Sequence, residues 1–139
     1  RAFAHRLSKE GIKVNHVIMN LPAIAPEFLD AFRGYSSPSE SWILPRIHVH
    51  CFAPKDSEST NYQCAVDRCA KALGHPLDQK TDKIHVRVVR DVSPKKNMLC
   101  ISFQLPDGVC GLPAIKLDND PTPSTCNEPE AKRQRSNEP

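Results

Sequence analysis

The chain has 139 residues, 13 of them proline, and a formal charge of +3. Once the prolines and a polar tail are set aside, about two thirds of it is left for a single packed core. The mild basic excess is compatible with an RNA partner but falls short of the dense Lys/Arg of an autonomous nucleic-acid module, and no apolar run or leader pattern points to a membrane partner.

Residues 1–13 pattern as a short amphipathic helix, with Phe3, Ala4 and Leu7 inward, Arg6, Lys9 and Glu10 outward, and Gly11 as the stop. A strand follows from Val14. Its residues His16, Val17, Ile18 and Met19 form a nearly continuous apolar run, the pattern of a parallel strand buried on both faces, which breaks off at Asn20-Leu21-Pro22. In open α/β sheets ligands bind outside the carboxyl ends of the strands, so Asn20 stands where a side chain can meet a substrate. Pro22, with its fixed φ and missing N–H, stops the strand and holds Leu21 extended. The plain alternative is a strand, a turn and a helix start without chemistry. Pro26 suits the first position of a helix on which Ala25, Phe28, Leu29 and Phe32 recur at helical spacing, and Gly34 ends it.

The turn-rich stretch Tyr35 to Pro45 holds the single tryptophan, Trp42, which reads as a packed lid in preference to an RNA-stacking platform. From Arg46 to Ala53 a second strand alternates Ile47, Val49 and Cys51 against His48, His50 and Phe52. Ser57, Ser59 or Thr60 can cap a helix from about Asn61 to Leu73, with Tyr62, Ala65, Val66, Cys69, Ala70 and Leu73 on one face and Asp67, Arg68 and Lys71 outside. Gly74 and Pro76 end it, and the strand–helix alternation predicts another parallel strand, Ile84 to Val92. Ser93-Pro94-Lys95 then turns the chain into an antiparallel partner, Lys96 to Leu105. Arg87, Arg90, Lys95 and Lys96 cluster on this hairpin, where guarding a sheet edge is favoured over phosphate contacts. Asp107 to Pro139 is polar and proline-rich and is expected to be a disordered tail, in which Lys132-Arg133-Gln134-Arg135 reads as a solvated cluster ahead of an import signal.

Cys51, Cys64, Cys69, Cys100, Cys110 and Cys126 include no Cys-x-x-Cys pair. Cys51, Cys69 and Cys100 fall in apolar patterns, so reduced thiols acting as small hydrophobes are expected. His48 and His50 share a strand face, yet with no third ligand nearby no metal site is expected. A Cys51–His50 nucleophile pair is excluded because adjacent strand residues point to opposite faces.

The run HVIMNLPAIAPEFLDAF, His16 to Phe32, resembles the tRNA (guanine-N1) methyltransferase family that modifies the guanine 3′-adjacent to the anticodon, position 37. In that family an Asn-Leu-Pro segment closes the fourth strand of a class I, Rossmann-like S-adenosylmethionine-dependent fold. IHVRVVRDVSPKKNMLCISFQLP, Ile84 to Pro106, resembles the same family's terminal hairpin, and the two matches together cover most of residues 14 to 106. Asn-Leu-Pro is also a variant of the Asn/Asp-Pro-Pro-aromatic motif of amino-group methyltransferases. Here Leu21 replaces the first proline and Ala23 the aromatic, which fits a ring nitrogen as target.

The resemblance implies that residues 1–106 are the C-terminal part of an α/β methyltransferase domain, parallel strands with a terminal antiparallel hairpin, followed by the tail 107–139. It implies S-adenosylmethionine as cofactor, the tRNA anticodon stem-loop as partner and a monomeric enzyme. The expected compartments are the cytoplasm, the mitochondrial matrix and the nucleus. Of the donor pocket it assigns Asn20 first, then Leu21 and Pro22, to cofactor binding; Asn20 can bond the cofactor's amino-acid end or the guanine edge. The general base, the base-orienting Arg and the glycine loop are expected before Arg1, since Gly11, Gly34, Gly74, Gly108 and Gly111 nowhere form a Gly-x-Gly turn between a strand and a helix. Residues 1–139 alone are therefore expected to be inactive. The alternatives are another RNA-modifying transferase on the same fold, or a non-catalytic RNA-binding protein.

Overall fold

The computed structural model describes residues 2–36, 41–55 and 58–115. The elements run α1 (Ala2–Lys9), β1 (His16–Met19), a 3-10 helix (Ala25–Phe32), β2 (Arg46–Pro54), α2 (Glu58–Leu73), β3 (His85–Ser93), β4 (Lys96–Gln104) and α3 (Asp107–Cys110). Most of the distal tail, with Cys126 and Lys132–Arg135, lies outside the described residues, as does the capping candidate Ser57. Ser59 and Thr60 already fall within α2.

The four strands form one mixed sheet in the order β1-β2-β4-β3. β1 pairs with β2 in parallel, Val17 opposite Ile47 and Met19 opposite Val49. β4 pairs antiparallel with both β2 and β3, so β1, β2 and β3 share one direction, and β4 is inserted between the two strands that α2 connects. The closing hairpin turns through Pro94 and Lys95 between the pair Ser93–Lys96. This is the expected parallel set with a terminal antiparallel hairpin.

One face of the sheet is the core. Ile47, Val49 and Cys51 of β2 and Leu99, Ile101 and Phe103 of β4 have no solvent exposure, and Leu29 of the 3-10 helix and Cys69 and Leu73 of α2 close over them. Burial of this apolar area is the main stabilising contribution, about 1.5–3 kcal/mol for each large side chain.

Four expectations are corrected. β1 is an edge strand among the described residues, not a strand buried on both faces: His16 and Ile18 face outward, and Ile18 is 71% exposed. The segment after Pro22 winds as a 3-10 helix, not an α-helix, and buries Ala25 together with Pro26, Leu29 and Phe32, the last three at a spacing of three. With three residues per turn that spacing keeps one narrow stripe inward, and Phe28, expected inside, turns out to 46% exposure. Phe3 of α1 is likewise exposed, while Ala4 packs at the core margin. Finally, ordered structure does not stop at Pro106: Asp107–Cys110 forms a helical turn whose Val109 is fully buried. The Val109 carbonyl accepts from Gly34 N–H at 3.1 Å, so this turn seals the end of the 3-10 helix.

Candidate functional site

Asn20 follows the last residue of β1, at the carboxyl end of the parallel pair, and is exposed. The backbone behind it is fastened at three successive carbonyls. Leu21 O accepts from Ile24 N (3.0 Å) and Ala25 N (2.7 Å), Pro22 O from Phe52 N (3.3 Å), and Ala23 O from the Arg68 guanidinium Nη2 (2.9 Å). These three anchors belong to the 3-10 helix, β2 and α2 respectively. Each net bond contributes about 0.5–1.5 kcal/mol, more for the charged donor, so together with the fixed φ of Pro22 they hold the loop in one conformation. The Asn20 carboxamide itself bonds no other described residue. A donor–acceptor group on a rigid support, left open to solvent, is the arrangement a ligand needs.

Arg68 was assigned by helical periodicity to the solvent face of α2, yet it is the link between that helix and the loop. Its Nε also donates to Glu27 Oε1 at 2.6 Å. Burial is the largest single influence on the Glu27 carboxyl and raises it, but the Arg68 hydrogen bond, a backbone hydrogen bond and the Arg68 charge together outweigh it, and the pKa lies below the ordinary value; the same side-chain bond raises Arg68. An arginine on the outward stripe of a helix gives no sequence signal for this role, because its partners lie 41 and 45 positions away.

The sheet face opposite the core is polar. His48 and His50 do share it, as alternation requires, and Cys51 points the other way into the core, which separates the adjacent Cys51 and His50. What the sequence did not reveal is the company they keep. His16 Nδ1 lies 3.0 Å from His48 Nε2, with the rings stacked at 5.3 Å, and His48 Nδ1 is 2.8 Å from Ser102 Oγ. His85, Arg87 and Cys100 line the same hollow of about 390 Å3. His50 Nδ1 is buried without a hydrogen-bond partner among the described residues. Partial burial, then the neighbouring His16, Arg46 and His50, lower the His48 pKa below 6.5. Among the described residues no three His, Cys, Asp or Glu side chains are arranged to hold a metal ion.

The cysteines of the described residues are free thiols. Burial raises Cys51 to about 11 and Cys69 to about 12, which keeps both protonated and unreactive. Trp42 is half-buried beside Leu44, Gln104 and Leu105, at the end of the sheet away from Asn20. No described helix is long and apolar enough to cross a membrane.

The chain is an α/β protein with an open sheet and a stiffened, amide-bearing loop at the carboxyl end of a parallel strand, the end at which open α/β sheets in general bind ligands. No family model matches it. Curated relatives do. The chain is 57% identical over 137 residues to tRNA (guanine(37)-N(1))-methyltransferase 1 of Phaeodactylum tricornutum, covering 99% of this chain and 30% of that protein. It is 43% identical over 109 residues to the tRNA (guanine(37)-N(1))-methyltransferase of Phytophthora infestans and 38% over 137 residues to that of Mus musculus, in each case 25% of the relative's length. The crystal structure of Trm5b from Pyrococcus abyssi matches 66% of this chain and 25% of its own at 27% identity, with a TM-score of 0.43. The chain belongs to the tRNA (guanine(37)-N(1))-methyltransferase family and spans 25–30% of the length of these three curated relatives.

Proposed function

We propose that these residues form the base-aligning part of a tRNA methyltransferase. The intact protein transfers a methyl group from S-adenosylmethionine to N1 of the guanine 3′-adjacent to the anticodon. The observation that carries this reading is the loop Asn20–Ala23: three consecutive backbone carbonyls are anchored to three different elements while the one side chain with both donor and acceptor capacity bonds none of the described residues.

The residues fit one wall of a donor site. Among the described residues the glycines with positive φ, Gly11, Gly34 and Gly74, follow helices and do not stand between a strand and a helix, so the loop that would cradle the adenosine belongs to a segment joined to this one. When bound, the sulfonium donor supplies an electrophilic methyl group. The chain's own residues then position: the Asn20 carboxamide bonds the donor's amino-acid end or the guanine edge, Leu21 and Pro22 wall the pocket, and the anchored backbone keeps that geometry unchanged between encounters. Removal of the N1 proton falls to a base outside these residues. The expected sites of action are where tRNA matures, in the cytoplasm, mitochondrial matrix and nucleus.

The test is Asn20→Ala in the full-length protein. Single-turnover methyl transfer to tRNA is expected to fall at least tenfold, about 1.4 kcal/mol, with an unchanged melting temperature because the carboxamide holds nothing in the fold. An unchanged rate would remove Asn20 from the mechanism. Residues 1–139 alone are expected to bind no S-adenosylmethionine in a calorimeter; micromolar binding would contradict the division of the site.

A further inference from the structure

A groove of about 550 Å3 opens beside the candidate site, lined by Ala23, Phe52, Ala53, Pro54, Lys95 and Lys96. It shares a wall with the Asn20 loop, since Ala23 belongs to both and Phe52 N–H holds the Pro22 carbonyl. Its floor is a half-buried phenyl ring flanked by proline and alanine, and its rim is two exposed lysines. Among the described residues no carboxylate lines it. The neighbouring Lys55 ammonium is engaged by Asp91 at 3.1 Å, which leaves Lys95 and Lys96 as the cations facing the groove. The rim is rigid: Lys96 pairs with Pro54 across the sheet, and Lys55 N–H donates to the Lys95 carbonyl at 3.1 Å.

We propose that this groove takes a nucleotide of the substrate RNA that flanks the methylated guanine, its base against Phe52 and Pro54 and its phosphates against Lys95 and Lys96. The inference rests on the proposed RNA methyl transfer and adds a second contact point to it. An aromatic floor beside paired ammonium groups is the combination that holds single-stranded nucleic acid, stacking for the base and charge for the backbone. It does not suit the methyl donor, whose sulfonium and ammonium would face two like charges. The two lysines thus do more than guard a sheet edge, the reading their sequence favours.

The experiment compares the full-length protein with its Lys95→Gln/Lys96→Gln and Phe52→Leu variants, reading anisotropy of a labelled anticodon stem-loop RNA across a salt series and, separately, methyl transfer. The lysine variant is expected to bind RNA roughly tenfold more weakly and to flatten the dependence of log affinity on log salt by about 1.4, two lost phosphate contacts on a single strand. Phe52→Leu is expected to weaken binding about five- to tenfold with no change in that slope. The lysine variant leaves the KM for S-adenosylmethionine unchanged. Both lysines are exposed, so the lysine variant decides the matter even if Phe52→Leu fails to fold. Wild-type RNA affinity and salt slope in the lysine variant would overturn the groove, as would a shift in the KM of the donor alone. Groove-dependent RNA binding without any methyl transfer by the wild type would instead overturn the transferase reading and leave the groove standing.

Discussion

Arg68→Gln isolates the contribution of loop anchoring. The substitution removes the charged donor to the Ala23 carbonyl (2.9 Å) and the pair with Glu27 (2.6 Å) while keeping the side chain's stem against α2's neighbours. The ion pair is half in solvent, 35% and 54% exposed, so it contributes no more than about 1 kcal/mol. The carbonyl bond from a guanidinium falls near the low end of the 1.5–3 kcal/mol range for charged donors, given its exposure. Together they favour the anchored loop by about 1.5–2.5 kcal/mol, and their loss leaves Ala23 held only through its neighbours. In the full-length protein the single-turnover rate is expected to drop roughly three- to tenfold, with a small fall in melting temperature. Glu27→Gln separates the two contacts: it breaks the ion pair but spares the carbonyl bond, and the rate is expected to stay within about twofold of wild type. If Glu27→Gln slows transfer as much as Arg68→Gln, or if neither slows it, the idea that the Ala23 anchor positions Asn20 is wrong.

Two further perturbations probe the fold around the site. Gly34→Ala places a Cβ 3.0 Å from the Leu112 carbonyl oxygen and 3.3 Å from Ala114 N at φ +69°. The left-handed conformation alone costs about 1–2 kcal/mol, so the urea midpoint should fall clearly; an unchanged midpoint would mean that residues 109–114 do not pack there. The second concerns pH. His48 is held below 6.5 in the fold, by burial first and then by its positive neighbours, so the unfolded chain binds the proton more readily. Stability from this group is therefore full above pH 6.5 and lost as pH falls through the lower folded value. Urea midpoints should decline on acidification below 6.5, and His48→Gln should flatten that decline; equal slopes for both proteins would exclude the His16–His48–Ser102 chain as its source.

Much of the architecture was legible because its signals are local. Apolar alternation marked β2, helical spacing marked α2, and Ser93-Pro94-Lys95 marked the turn of the hairpin. Asn20-Leu21-Pro22 was legible as a strand end for the same reason: a proline two residues past an apolar run stops a strand whatever surrounds it. Val109 was not, since one buried valine in a four-residue turn leaves no period to detect. The 3-10 winding of Ala25–Phe32 was missed because apolar residues at positions 25, 28, 29 and 32 satisfy an α-helical pattern, and the choice between windings depends on which of them meets the sheet.

By itself, then, the sequence determined the kinds and order of the principal elements, the side of the sheet that is apolar, and the place where a parallel strand stops at an amide. Only the tertiary structure decided that β4 lies between β2 and β3, that β1 is an edge among the described strands, and which polar groups meet. His16 reaches His48 across 32 positions, Arg68 reaches Ala23 across 45, and His48 reaches Ser102 across 54. The reason is physical. Periodicity and backbone stops are set by neighbours along the chain, whereas a site assembled from several strands and a helix exists only once burial of the common apolar face has fixed their register.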